Sequence, residues 1–135
     1  MTDGSIDLQG VIVNTLKAIN PPLASGGVHS PAPQGVPLPY VEVGETGTVT
    51  NDVQCRSGLD ETATIHVWTS FGTLATAKTI VAKIREALHA KNLAVPGRSA
   101  AFFNVTGTRV FTDLDSEAIH GVVTLSVSHF GQKES

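Results

Sequence analysis

Apolar residues near the start of the chain recur with the spacing of an amphipathic helix. They fall three or four residues apart, and so line one side of a helix: Leu8, Ile12, Leu16 and Ile19. The pair Pro21-Pro22 ends this pattern, because proline has no amide hydrogen and crowds the preceding turn. The pattern predicts a first helix that begins near Ser5 and stops before Asn20.

The segment 20–39 has a different composition. It holds six of the seven prolines of the chain, interleaved with glycines. Proline cannot donate a hydrogen bond to a neighbouring strand, so we predict an extended, stiff connection whose middle does not join a sheet. Alternation of apolar and polar residues begins at Tyr40 and predicts a strand there.

Polar and small residues then fill the range 46–59, which predicts a long hairpin loop. A second strand is expected from about Asp60 to Ser70, because apolar and polar residues alternate there. One face of this strand carries Ala63, Ile65 and Val67, and the other carries Thr62, Thr64, His66 and Trp68.

A second helix is predicted to open at Gly72 and Thr73 and to end by Asn92, since apolar residues again form one stripe. Two strands follow. The first runs from Phe102 to Phe111, with a bulge expected at Gly107. In the second, inward apolar residues alternate with a polar set: His120, Thr124, Ser126 and Ser128.

These elements predict one α+β domain over residues 1–135 with the order α-β-β-α-β-β. Hairpin connections favour a four-stranded, mostly antiparallel sheet with both helices packed on one face. The opposite face is expected to carry Thr, Ser and His side chains. The tail 131–135 is expected to be frayed.

Charge argues against several functions. Charged residues make up 16% of the chain, the net charge is −3, and no run of Lys or Arg occurs, so tight nucleic-acid binding is not expected. The low charge favours self-association. The first residues lack the pattern of a signal peptide, and no apolar run is long enough to cross a membrane. Folding in a reducing cytoplasm is consistent with the single cysteine.

Candidate chemistry centres on two histidines and that cysteine. His66 and His120 lie on the polar faces of two strands that could be neighbours, and a two-His metal site would need a third ligand. Asp60, Glu61 and Glu117 lie at strand ends, so a half-exposed sheet face is favoured over a metal. Cys55 has only Arg56 beside it as a cation, and no nucleophile elbow or phosphate-binding loop is present. We therefore predict no catalytic residue, metal or cofactor.

Trp68 is the sole tryptophan and lies on the polar side of the predicted sheet. Exposed aromatic residues of this kind are enriched in protein interfaces. The alternative is a second small core beneath the proline-rich segment. The sequence leaves both interpretations open.

Four features in this order resemble the phage tail terminator, or tail completion, family, which also occurs in gene transfer agents. They are the first helix with its proline-rich link, the segment Leu38-Pro39-Tyr40-Val41-Glu42-Val43-Gly44, the segment Ile65-His66-Val67-Trp68-Thr69-Ser70 leading into the second helix, and the segment His120-Gly121-Val122-Val123-Thr124-Leu125. The resemblance covers roughly residues 6–130.

The resemblance implies a function of shape in the virion tail and neck. Family members form a ring, commonly six-fold, that stacks on the last ring of the tail-tube protein and offers a surface to the head-closure protein. DNA leaves through the central channel as passing cargo, without being gripped. The family has no catalytic residues to transfer. Alternatives are another neck or tail component (a head-closure or tail-tube protein), a small His-dependent enzyme, or a cellular binding module.

Under this interpretation, the polar sheet face or the neighbouring strand edge lies at a subunit boundary, and the loop 46–59 makes contact along the tail axis. The residues predicted at interfaces are Tyr40, Glu42, Glu45, Cys55, Arg56, His66, Trp68, His120 and Thr124.

Overall fold

A computed structural model describes residues 5–50, 58–96 and 101–130. These residues form two helices and six strands. They are α1 (Ser5–Lys17), β1 (Val28–His29), β2 (Tyr40–Thr50), β3 (Gly58–Thr69), α2 (Leu74–Leu88), β4 (Lys91–Asn92), β5 (Ala101–Thr112) and β6 (Ile119–Phe130).

The six strands form one sheet in the order β1-β2-β3-β6-β5-β4, curled into a half-barrel. Neighbouring strands are antiparallel except β1, which pairs with β2 in parallel. The predicted α+β class is confirmed, but the prediction of four strands is wrong. β1 and β4 have two residues each, too few for any alternation to show in the sequence.

The core lies between the two helices and one face of the sheet. α1 packs against β1 and β2, while α2 packs against β3, β5 and β6. The predicted strand faces are confirmed: Ala63, Ile65 and Val67 are fully buried, as are Val123 and Leu125 on β6. Neither of the two described helices packs on the other face of the four long strands, which is called the uncovered face below.

The close packing of α2 depends on Gly121 in β6. A Cβ atom at this position would lie 2.9 Å from Cγ2 of Val81 and 3.2 Å from Cβ of Val67. The absent side chain thus lets the helix approach the centre of the sheet.

The proline-rich segment joins the sheet, contrary to the sequence prediction for its middle. Val28 pairs with Val41 and His29 with Glu42, and the amide of Val41 donates to the carbonyl of Gly27 over 3.0 Å. This pairing is possible because residues 23–30 contain no proline. The prediction was wrong because it treated the segment 20–39 as uniformly rich in proline.

The long hairpin loop predicted over 46–59 is also wrong in its extent. β2 continues to Thr50 and β3 begins at Gly58, so residues on both sides of the turn are paired strand. Thr and Gly in these strand ends give no apolar alternation, which is why they were predicted to be loop. Residues 51–57, together with the tail 131–135, lie outside the described residues.

The second helix is confirmed, but it ends at Leu88 rather than near Asn92. Ala90 has a positive φ of 56°, which turns the chain so that Lys91 and Asn92 can pair with β5. Among the described residues, neither helix has the length and apolar content needed to cross a membrane.

Candidate functional site

The uncovered face of the sheet carries a row of ring side chains that crosses four strands. Tyr40 on β2 is paired with Trp68 on β3, Trp68 with His120 on β6, and His120 with Phe111 on β5. All four are partly exposed. We call Tyr40, Trp68, His120 and Phe111 the aromatic row.

The centre of the aromatic row is tightly stacked. The rings of Trp68 and His120 lie 3.8 Å apart between centroids and only 11° from parallel. Phe111 contacts the other side of His120 with a centroid distance of 5.0 Å, and the Arg109 guanidinium lies 4.8 Å from the centroid of the Phe111 ring. His120 is therefore held in one orientation by aromatic contacts on two sides.

A chain of hydrogen bonds runs beside this row. Nδ1 of His66 lies 2.8 Å from Nε2 of His120, and Nε2 of His66 lies 3.0 Å from Oε1 of Glu45. The sequence prediction that His66 and His120 lie on the same face of neighbouring strands is confirmed. Glu45, His66 and His120 are called the histidine chain below.

The carboxylate at one end of the histidine chain determines which ring nitrogens carry protons. The Glu45 carboxylate only accepts, so His66 donates from its Nε2–H. When His66 is neutral, its Nδ1 has no proton and accepts from Nε2–H of His120. When His66 is charged, Nδ1–H donates to His120 instead. Either way, a single proton lies between the two rings.

A bulge in β2 brings Glu45 to this position. The pairing of β2 with β3 shifts between Val43 and Thr46, which places Gly44 beside the His66 ring. A Cβ atom on Gly44 would lie 2.8 Å from Cδ2 and 2.9 Å from Nε2 of that ring. Glycine at this position therefore leaves the space that the His66 ring occupies.

The environment of this face shifts the pKa values of three of its groups. Burial, followed by the nearby His66, lowers the pKa of His120 below its ordinary value of 6.5. The hydrogen bond from His66 lowers the pKa of Glu45. Burial, followed by the charge of Glu42, raises the pKa of Tyr40.

The geometry does not supply the third ligand of a metal site. In the described parts of the chain, no group of three or more His, Cys, Asp or Glu residues is placed to hold a metal ion. Glu61, considered as a ligand from the sequence, is buried on the opposite face of β3 at 1% exposure. Both nitrogens of His66 are already engaged, by His120 and Glu45.

The other residues predicted at interfaces fall in different places. Thr124 is exposed on the same face, opposite Thr64 of β3 and Gly107 of β5. Glu42 has a local contact, since its carboxylate accepts from the amide of Ala32 over 2.9 Å. Cys55 and Arg56 lie outside the described residues.

Sequence reasoning missed Phe111 and Arg109 as members of this face. The predicted bulge at Gly107 is confirmed, because the pairing of β5 with β6 shifts between Val105 and Gly107. That shift reverses the alternation along β5 and turns Arg109 and Phe111 onto the uncovered face. Reversing the alternation of β5 after the bulge predicted at Gly107 would have placed both residues on this face.

Comparison with known proteins decides the family. The family model described as Tail completion protein gp17 matches residues 15–129. This chain belongs to that family. It is therefore a structural component of a virion tail, and the role of the family is structural rather than catalytic.

Solved structures agree with this membership at the level of fold. The tail completion protein superposes on a chain of the structure titled "Virion of native gene transfer agent (GTA) particle" with a TM-score of 0.78 and 21% sequence identity. The match covers 92% of this chain and 95% of that chain. At this identity the match establishes a shared fold. No curated protein matches the sequence significantly.

Proposed function

We propose that this tail completion protein forms a ring that caps the tail tube, stops its growth and offers a joining surface to the head-closure protein of the neck. The ring is commonly six-fold in the family that the sequence resembles. DNA passes through its channel. The protein acts by fitting against copies of itself and its neighbours, and it makes and breaks no bond.

The observation that supports this proposal best is the aromatic row on the sheet face opposite α1 and α2. Trp68 and Tyr40 contribute large apolar areas there while remaining partly exposed. Tryptophan and tyrosine are enriched among the residues that dominate binding between proteins. We place the subunit boundary on this face, with His66, Trp68, His120 and Thr124, or along the adjacent Tyr40–Glu45 stretch of β2.

The contacts along the tail axis are assigned to the hairpin that joins β2 and β3. The two strands stay paired up to Thr50 and Leu59, so the ribbon continues to the edge of the described residues. A paired ribbon of this length is a suitable arm for reaching an adjoining tube or neck protein. The net charge of −3 is consistent with DNA that slides through the ring without being held.

Replacement of Trp68 tests the subunit boundary. The Trp68→Ala variant removes the largest side chain of the aromatic row and is expected to weaken ring association roughly tenfold. Phe71→Ala is the matched control, since Phe71 is an exposed aromatic residue between β3 and α2, outside the sheet and the row. Light scattering gives the size of the assembly formed by the purified protein, and micrographs show whether tail tubes carry a ring. Circular dichroism verifies the fold. Rings of wild-type strength with Trp68→Ala would exclude this boundary.

A further inference from the structure

One end of the molecule displays most of its exposed large apolar side chains. Among the described residues, five such side chains are exposed, and four of them lie just beyond the paired strand ends that contain Tyr40, Thr69 and Thr112: Leu38, Phe71, Leu74 and Leu114. Leu114 is the most exposed, at 89%. It lies at the tip of the turn between β5 and β6.

This turn holds Leu114 outward through its own hydrogen bonds. The amide of Glu117 donates to the carbonyl of Asp113 over 2.7 Å, and the amide of Asp113 donates to the carbonyl of Ala118 over 2.8 Å. The amide of Asp115 donates to Oδ1 of Asp113 over 2.9 Å. Glu117 has a φ of 63°, a left-handed conformation that is costly for a residue with a side chain. An apolar side chain presented on an ordered turn loses little entropy when it binds.

A groove on the helix side of the same protein offers a complementary shape. It encloses about 370 Å³ between α2 and the segment that leads into β2. Its lining is mainly apolar and small, with Pro22, Leu23, Ala24, Pro39, Thr79 and Ile80. The groove is large enough for a leucine side chain.

The charges of the turn and of the groove are opposite. Asp113, Asp115 and Glu117 lie in the same turn as Leu114, whereas Lys83 contributes the charge at the groove. None of the described residues that line the groove is acidic. Leu114 is itself exposed and so does not occupy the groove of its own chain.

We propose that Leu114 of one copy inserts into this α2 groove of the next copy in the ring, with Lys83 pairing with the acids beside Leu114. The inference rests on the proposed ring and names one contact that closes it. The turn and the groove are different patches, and a ring is built from such heterologous contacts. A second copy is the occupant because the same chain carries both the acidic apolar projection and the basic apolar groove.

Directed disulfide formation between copies tests this contact. Cys55 is the only cysteine, so a Cys55→Ser background contains none. A tagged Leu114→Cys protein is mixed with a differently tagged Thr79→Cys protein, and both purified rings and capped tail tubes are oxidised. We expect a disulfide-linked pair carrying both tags. Gly10→Cys is the matched control partner, because Gly10 lines a second groove near α1 and has open space at its Cβ position.

The outcomes separate this inference from the ring proposal. Rings without a 114–79 disulfide, or with equal linkage to Gly10→Cys, overturn the inference and leave the ring proposal standing. The absence of both rings and disulfide, in purified protein and on tail tubes, overturns both. A disulfide specific to the 114–79 pair supports both.

Charge reversal provides an independent measure of the same contact. Asp115→Lys and Lys83→Glu should each weaken ring association roughly two- to fivefold, as expected for an exposed ion pair. The two substitutions combined should restore most of the loss. Leu114→Ser should weaken association roughly tenfold, while Phe71→Ser, at another strongly exposed apolar residue, should leave it unchanged. If the combined variant instead lost ring association by the product of the two single effects, the proposed contact would be contradicted.

Discussion

Nδ1 of His66 lies 2.8 Å from Nε2 of His120, so the two imidazoles share a single proton across neighbouring strands. A second proton would place N–H groups on both sides of this gap, and the hydrogen bond would be lost. Two charged rings would repel each other, which would weaken the stack of His120 between Trp68 and Phe111. The arrangement of the proposed subunit face thus depends on how many protons the histidine chain carries.

Acidification is expected to destabilise the fold through His120. Its pKa is lowered in the folded protein, so the unfolded chain binds the proton at higher pH than the folded chain does. Stability is therefore lost as the pH falls below about 6.5 toward the lowered folded value. Glu45, whose pKa is also lowered, adds a smaller loss below its ordinary value of 4.5, because its carboxylate is largely exposed and screened by water.

Urea unfolding at pH values on the two sides of the His120 range measures this effect, since free energies of unfolding can be compared directly. His120→Gln removes the titrating group and should show a smaller loss of stability on acidification than the wild type. Identical losses in the two proteins would mean that His120 does not carry the pH dependence.

Replacing Gly44 by alanine should disrupt the histidine chain. The new Cβ atom would lie 2.8 Å from Cδ2 of His66 and displace the ring from both of its partners. We expect a loss of roughly 1–3 kcal/mol in the free energy of unfolding, together with changed His66 and His120 side-chain signals in NMR spectra. Gly10→Ala is the control: with no atom near its Cβ position, it should be stabilising by about 0.5–1 kcal/mol. An unperturbed His66 ring in Gly44→Ala would disprove this explanation of the glycine.

Gly121→Ala tests the close approach of α2 to the sheet. Its Cβ atom would lie 2.9 Å from Cγ2 of Val81 and 3.2 Å from Cβ of Val67. Overpacking of this kind costs about 1–3 kcal/mol, which denaturant unfolding resolves. The double variant Gly121→Ala/Val81→Ala should recover part of the loss, because it removes the nearest atom. If the double variant were no more stable than Gly121→Ala, the strain would not arise from the contact with Val81.

Shortening the segment 51–57, which joins β2 to β3, should impair head–tail joining without impairing folding. Deletion of the middle of the segment 51–57 leaves the described strands intact, so the melting temperature should change little. Tails carrying the variant should fail to join heads, as counted in electron micrographs of mixed heads and tails. Normal joining would show that this hairpin does not make the axial contact.

The α+β class and the faces of the long strands could be predicted because burial imposes alternation on them. Ile65 and Val67 face the core and His66 and Trp68 the other side, which a period of two residues predicts directly. Val28–His29 and Lys91–Asn92 could not be found this way. A strand of two residues is too short to show alternation, and its place in the sheet is set by the neighbouring strand.

The candidate site was predictable only in part for a related reason. His66 and His120 follow the regular alternation of β3 and β6. Glu45 lies within a bulge and Phe111 follows one, and each bulge shifts the alternation by one residue. Only the bulge at Gly107 was expected from the sequence. The Glu45 contact depends on the unexpected bulge in β2, so the sequence identified Glu45 without its partner.

Cryo-electron microscopy of the intact particle, with this chain located in the density, tests the central claim most directly. We expect a single ring of this protein between the tail tube and the neck, with the aromatic row at the boundary between neighbouring copies. A particle in which the chain is absent from that junction, or repeats along the whole tube, would contradict the account.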